Sequence, residues 1–177
     1  MKWIGISGGW RRTNQDIEGK VRTTAREIMA RGDGIVSGGA LGVDYVALDE
    51  ALQYNPTADK IKIFLPTTLV KYAEHFRKHA RMGTVTSADA EKLISQLSNL
   101  KQINPEALIE NPDTNFTEEN KKERYYERNL KVVEASDELI AFRIKSELSD
   151  GLGTLDTIKK AEEKAIPIQS FSFDITQ

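Results

Sequence analysis

Twice near its start, the chain runs a short apolar segment into Ser-Gly-Gly. Trp3-Ile4-Gly5-Ile6 leads into Ser7-Gly8-Gly9, and Ile35-Val36 leads into Ser37-Gly38-Gly39-Ala40-Leu41-Gly42. An apolar run closed by glycines reads as a buried strand entering a tight turn. Each turn is followed by apolar residues at helical spacing. The first set is Ile17, Val21, Ala25 and Ile28, with Thr13 or Asn14 as N-cap and Gly32 at the C′ position. The second is Val43, Ala47 and Ala51, flanked by Leu48 and Leu52, with Pro56 beyond its end. Strand, glycine turn and helix in repetition imply a parallel sheet with right-handed crossovers. In such sheets ligands bind beyond the carboxyl ends of the strands.

The rest of the chain keeps this rhythm after one interruption. Ile61, Ile63, Phe64 and Leu65 read as a third strand closed by Pro66. From about Thr67 to Asn120 the spacing is helical, through Tyr72, Ala73, Phe76 and Ala80, then Leu93, Ile94, Leu97 and Leu100. This stretch is expected to be a helical insertion. Asn104-Pro105 reads as an N-cap with Pro at N1, and Asn111-Pro112-Asp113 as a turn. Thr117 is expected to cap a helix carrying Tyr126, Leu130 and Val133. Leu139–Phe142 reads as a fourth strand. A helix opens near Thr154, and Ile166-Pro167-Ile168 begins a fifth strand, which Pro167 places at an edge. The expected fold is α/β, a Rossmann-like parallel sheet of about five strands flanked by helices, in one domain over 1–177.

Composition limits the chemistry. The chain has no cysteine and only two histidines, which excludes disulfides, thiolate metal sites and Cys nucleophiles. His75 and His79 share a helix face, but no glutamate lies between them and Arg77, Lys78 and Arg81 surround them. No metal and no cofactor are therefore expected. No apolar run reaches the ~18–20 residues of a membrane span, and the N-terminus lacks signal-peptide character. A cytoplasmic protein without membrane partners is expected. The net charge of −2 argues against a basic nucleic-acid coat, though not against a local patch.

Three loops follow strands and gather at one sheet edge. They are Ser7-Gly8-Gly9-Trp10-Arg11-Arg12, Ser37-Gly38-Gly39-Ala40-Leu41-Gly42-Val43-Asp44, and Asp150-Gly151-Leu152-Gly153-Thr154. Glycine lets backbone approach a phosphate, and a following helix N-terminus offers N–H donors. Arg11 and Arg12 can add charge-assisted bonds. Gly-rich turns also arise for steric reasons alone, and none of these loops matches a P-loop or a complete G-x-G-x-x-G.

The segment Gly34–Leu52, with Ser37-Gly38-Gly39-Ala40-Leu41-Gly42-Val43-Asp44 at its centre, resembles the SLOG superfamily of Rossmann-like proteins. The likeness continues at Arg128-Asn129, at Ser136-Asp137 and at Gly153-Thr154-Leu155-Asp156-Thr157. That superfamily includes DNA-processing protein A, the cytokinin-activating LOG enzymes and proposed molybdenum-cofactor carriers. The resemblance implies a site for a nucleotide, a nucleotide-derived molecule or a nucleic-acid phosphate. Ser37, Gly38, Gly39 and Gly42 would lie against it, Gly153 and Thr154 would cradle phosphate, and Arg128 and Asn129 would face it. Oligomers are common in the superfamily, so a homodimer is compatible with the resemblance.

Branch assignment is less direct. The LOG signature P-G-G-x-G-T-x-x-E places its catalytic glutamate where this chain has Thr157, and Asp156 lies one residue early, about 100° around the helix. Thr157 matches the DNA-processing branch instead. Lys121, Lys122, Arg124, Arg128 and Lys131, with Tyr125 and Tyr126 among them, fit single-strand binding, or else a mixed-charge helix whose tyrosines pack on the sheet. The expected function is recognition of a nucleotide or nucleotide-derived ligand, as sensor or carrier, without turnover. The alternatives are a LOG-like nucleoside 5′-monophosphate phosphoribohydrolase with relocated acids, for which Asp44 and Asp150 are candidates, and a single-stranded-DNA binder.

Overall fold

A computed structural model describes residues 1–176. Six strands form one sheet in which every pairing is parallel. They are β1 (Trp3–Gly8), β2 (Gly34–Gly38), β3 (Ile61–Phe64), β4 (Leu108–Ile109), β5 (Glu138–Lys145) and β6 (Ile168–Asp174). The helices are α1 (Gln15–Ala30), α2 (Val43–Tyr54), α3 (Leu69–Arg81), α4 (Ser87–Ile103), α5 (Lys121–Glu134) and α6 (Leu152–Lys164).

The strand order is β4-β3-β2-β1-β5-β6. The chain winds outward from β1 to β4 on one side, then returns to place β5 against the other side of β1. The loops after β1 and β5 therefore part in opposite directions, and a crevice opens between them. β2 is buried along its whole length, as a central parallel strand with both faces covered must be. The core is built on Ile4 and Ile6 of β1, Ile35 of β2 and Ile61 and Ile63 of β3, with Ile17, Val21, Ala25 and Ile28 of α1 packed against them. Each such side chain contributes roughly 1.5–3 kcal/mol by leaving water.

The caps follow local chemistry. Asn14, not Thr13, caps α1, accepting from Ile17 N at 2.9 Å. Gly32 takes the C′ place with φ +83°, and Asp33 N closes the motif on Ile28 O. Thr68 caps α3 and Thr86 caps α4.

The stretch read as a helical insertion holds α3 and α4 and also a sixth strand. Leu108-Ile109 pairs with Ile63 and Phe64 at the sheet edge. A two-residue strand has too little alternation to show in sequence. Thr117 does not cap α5, because it closes a turn with Asn120 upstream of the helix. Leu130 is exposed, while Arg128 and Asn129 are buried beside Val132 and Val133. Pro167 immediately precedes β6, which lies at the other edge as its position suggested. Among the described residues, no helix is long and apolar enough to cross a membrane.

Candidate nucleotide-phosphate site

The crevice between β1 and β5 deepens into a cavity of about 600 Å³. One wall is formed by Ser7, Gly8 and Gly9 at the end of β1, Gly38 and Ala40 at the end of β2, and residues 146–154 after β5. The other wall is largely aromatic. Tyr72 and Phe76 come from α3, Tyr125 and Tyr126 from α5, and Trp10 stands at the mouth.

The glycines divide into two kinds. A Cβ at Gly8 would lie 2.5 Å from Val43 Cγ2, one at Gly9 would lie 2.9 Å from Ile144 Cβ, and one at Gly39 would lie 2.5 Å from Leu65 Cδ2. These three are small because core side chains press on them. Gly42 has φ +73°, and a Cβ there would strike the Gly9 carbonyl. That carbonyl accepts from Val43 N at 3.1 Å, so Gly42 joins the first two loops. Gly38 and Gly153 differ. A Cβ at Gly38 would meet Arg128 and Asp44, and one at Gly153 would meet nothing within 4 Å.

Arg128 and Asp44 occupy the floor. Arg128 is buried on α5, with Nε donating to Asn129 Oδ1 at 3.1 Å and its guanidinium 5.3 Å from the Tyr125 ring centre. Its Nη1 is buried without a hydrogen-bond partner. Asp44, at the start of α2, is 7% exposed. Ser37 Oγ lies 3.0 Å from Asp44 Oδ1 and 2.8 Å from Ile6 O, while Ala40 N–H donates to Asp44 Oδ2 at 3.4 Å. Burial pushes the Asp44 carboxyl up to about 6, against the opposing pull of Arg128, Ser37 and Ala40. Burial also raises the Tyr125 hydroxyl to about 12, so it stays protonated.

The third loop supplies donors. Gly151 caps α6 with no side-chain bond to the first turn, so those N–H groups remain open to a ligand. Gly151 N is held by Ser149 Oγ, and Arg143 Nη2 donates to Asp150 O at 3.2 Å. Thr154 is buried at the cavity edge.

The structure thus brings Ser7, Gly8, Gly9, Gly38, Asp44, Arg128, Asn129, Asp150, Gly151, Gly153 and Thr154 to one cavity. Ser37 and Gly39 lie behind its wall. Arg11, Arg12 and Gly42 line a neighbouring recess instead. Arg11 lies over Trp10 and donates to Leu148 O at 3.4 Å, and Arg12 pairs with Glu147 at 3.7 Å. Sequence reasoning gave no role here to Tyr72, His75, Phe76 and His79. Their spacing along α3 forms one aromatic stripe, a signal that matches core packing as well as a ligand wall. Tyr125 and Tyr126 line the cavity, with Lys122 and Lys160 over the Tyr126 ring.

No family model matches the chain, and no curated protein matches it in sequence. A solved structure does match, that of DNA processing protein A from Helicobacter pylori, described for its unique single-stranded DNA binding mode. Identity is 22% and the TM-score 0.62, over 96% of this chain and 64% of that one. The chain shares the Rossmann-like fold of DNA processing protein A. This agrees with the SLOG likeness of the Ser37–Asp44 loop. DNA processing protein A from Streptococcus pneumoniae also matches, at 15% identity and a TM-score of 0.48, over 95% of this chain and 58% of that one. The chain spans under two thirds of either protein.

Proposed function

We propose that this chain binds single-stranded DNA, with one nucleotide of the strand seated in the cavity. The observation that carries the reading is Arg128 Nη1, a buried cationic donor without a partner at the floor of an aromatic-walled cavity. A buried donor left without a hydrogen-bond partner is expensive, and an anionic oxygen entering the cavity relieves that penalty. Phosphate answers both Arg128 and the open N–H groups of α6. A base answers Tyr125 and Tyr126, since stacking on aromatics is tolerant of sequence. The fold shared with a protein described for single-strand binding supports the same reading.

A second reading is a free nucleotide or nucleotide-derived ligand, held by a sensor or carrier. The depth of the cavity favours it, because about 600 Å³ lies in the range of small-ligand pockets.

Fluorescence anisotropy with labelled oligodeoxythymidine tests both readings. Binding that weakens steeply with salt, and that dTMP displaces poorly, supports the single-strand reading. Displacement by dTMP at similar concentrations, with a shallow salt slope, supports the second. Arg128→Ala should weaken either ligand about ten- to a hundredfold, the value of a charge-assisted bond of roughly 1.5–3 kcal/mol. Absence of binding by oligonucleotide and mononucleotide alike would overturn both.

A further inference from the structure

On the cavity wall, α3 presents His75 and His79 one helical turn apart. Their ring centroids are 4.3 Å apart. No carboxylate lies between them in the sequence, and Glu74 beside them pairs with Lys71, but the fold brings Glu118 from the turn before α5. Glu118 Oε1 lies 4.0 Å from His75 Nδ1 and 3.9 Å from His79 Nε2, and one donor atom from each of the three residues falls within 4.8 Å of the others. We propose that His75, His79 and Glu118 form a binding site for a divalent transition-metal ion, with zinc the best match to two imidazole nitrogens and one carboxylate oxygen. The proposal does not rest on the nucleotide reading.

Each donor is positioned by its neighbours. His75 Nε2 lies 3.4 Å from Tyr125 Oη, which leaves Nδ1 turned toward Glu118. Phe116 packs edge-on against His75, with centroids 5.0 Å apart. His79 Nδ1 is buried with no partner, so no hydrogen bond draws that ring elsewhere. The turn carrying Glu118 is tied down, because Thr117 N donates to Asn120 Oδ1 at 2.7 Å and Asn120 Nδ2 to Asn115 O at 2.9 Å. Both imidazole side chains are largely buried, so their rings are held in place by packing.

The surrounding lysines set the terms of the site. Lys121 Nζ donates to Glu118 Oε2 at 2.5 Å and leaves Oε1 facing the imidazoles. A ligating carboxylate commonly carries such an outer hydrogen bond. Lys78 Nζ lies 3.7 Å from Oε1 and competes for it, but its side chain is half exposed and can swing into solvent. Ligand atoms around a tetrahedral ion with bonds of ~2.0–2.2 Å sit ~3.3 Å apart, so the three donors must close by less than about 1.5 Å. The Glu118 side chain, 44% exposed, has the freedom to close its own two separations, and small rotations of the two rings close the distance between their nitrogens. Three protein donors leave the fourth position of the ion open, and His75, His79 and Lys121 all line the cavity.

Calorimetric titration of chelator-treated, untagged protein with zinc chloride tests the site. Cobalt(II) absorption provides a second readout, since tetrahedral coordination gives intense visible bands. Wild type should take up one ion per chain, and zinc should raise its melting temperature. Glu118→Gln should weaken zinc at least about tenfold, the lower limit known for losing even an outer partner. His75→Gln and His79→Gln should weaken it further and remove the cobalt bands. Glu118→Gln alters an exposed side chain, so it decides the matter even where a histidine variant folds poorly. Wild type that takes up no stoichiometric zinc, or a Glu118→Gln variant that binds it as wild type does, would overturn the proposal.

Discussion

Arg128 rests against the Cα of Gly38, in a space that one methyl group would fill. A Cβ on Gly38 would lie 2.6 Å from Arg128 Cζ and 2.9 Å from Asp44 Oδ2. The glycine at the end of β2 is therefore what admits a guanidinium from α5 to the cavity floor. Gly38→Ala should displace Arg128 and weaken oligodeoxythymidine about as much as Arg128→Ala does. The overpacking itself should destabilise by about 1–3 kcal/mol. Anisotropy on the folded variant, beside its melting temperature, checks this. Undiminished binding would separate Arg128 from the ligand.

Asp44 makes stability depend on pH in an unusual direction for a carboxylate. Its ordinary value of 3.8 applies to the unfolded chain, and burial raises it to about 6 in the fold. Below the lower value it is protonated in both states, and the full stability is present. As pH rises, the unfolded chain ionises first, so stability falls until the pH has passed about 6. The loss should be of order 2–3 kcal/mol. Urea unfolding over a pH series should show this fall in wild type and not in Asp44→Asn. Binding of a phosphodiester strand should weaken as pH rises through about 6, where Asp44 ionises in the folded chain and its new negative charge shares the cavity with the anion. A wild-type profile parallel to that of Asp44→Asn would refute the assignment.

The parts of this site that were legible in sequence are those whose logic is local. Ser37-Gly38-Gly39 announces a strand turning into a helix, and Gly151-Leu152-Gly153-Thr154 announces a helix N-terminus, because both are backbone requirements. What Gly8, Gly9 and Gly42 require is not local. Their neighbours are Val43, Ile144 and the Gly9 carbonyl, brought close only by the folded loops. Likewise the charge facing Arg128 is not on α5, where the helical neighbours are Arg124 and Lys131, but on α2 as Asp44. The spacing along α3 shows only a helical insertion, and its role as a cavity wall depends on the sheet order. Glu118 stands far in sequence from the histidines it faces, so its place beside them does not show in the sequence around them.

Gly153 is the glycine whose side-chain position is open space at the cavity. Gly153→Val should leave the melting temperature nearly unchanged, since surface substitutions usually stay within about ±0.5 kcal/mol. The added methyls would occupy the approach to the first-turn N–H groups of α6 and block phosphate. Binding of oligodeoxythymidine should fall below detection while circular dichroism matches wild type. Normal binding by the folded variant would move the phosphate away from this helix.

Cleavage between base and ribose 5′-phosphate needs a carboxylate at the sugar to support an oxocarbenium-like centre or to activate water. Thr157 stands at the LOG glutamate position, and its hydroxyl donates to Gly153 O at 3.1 Å. Asp156 is committed elsewhere. Lys160 Nζ holds both its oxygens at 2.6 Å, and Asn129 Nδ2 donates to Oδ2 at 3.1 Å. Turning Asp156 inward would break that pair and rotate α6 by a residue, moving Thr154, Thr157 and Ala161 from their buried positions. Among the described residues, the carboxylates lining the cavity are Asp44, Glu147 and Asp150. Asp44 faces Arg128, while Glu147 pairs with Arg12. Long incubation with AMP should therefore release no adenine above a protein-free control, as read by chromatography. Release that survives Asp156→Asn but disappears in Asp44→Asn and in Asp150→Asn would make the chain a glycosidase with relocated acids.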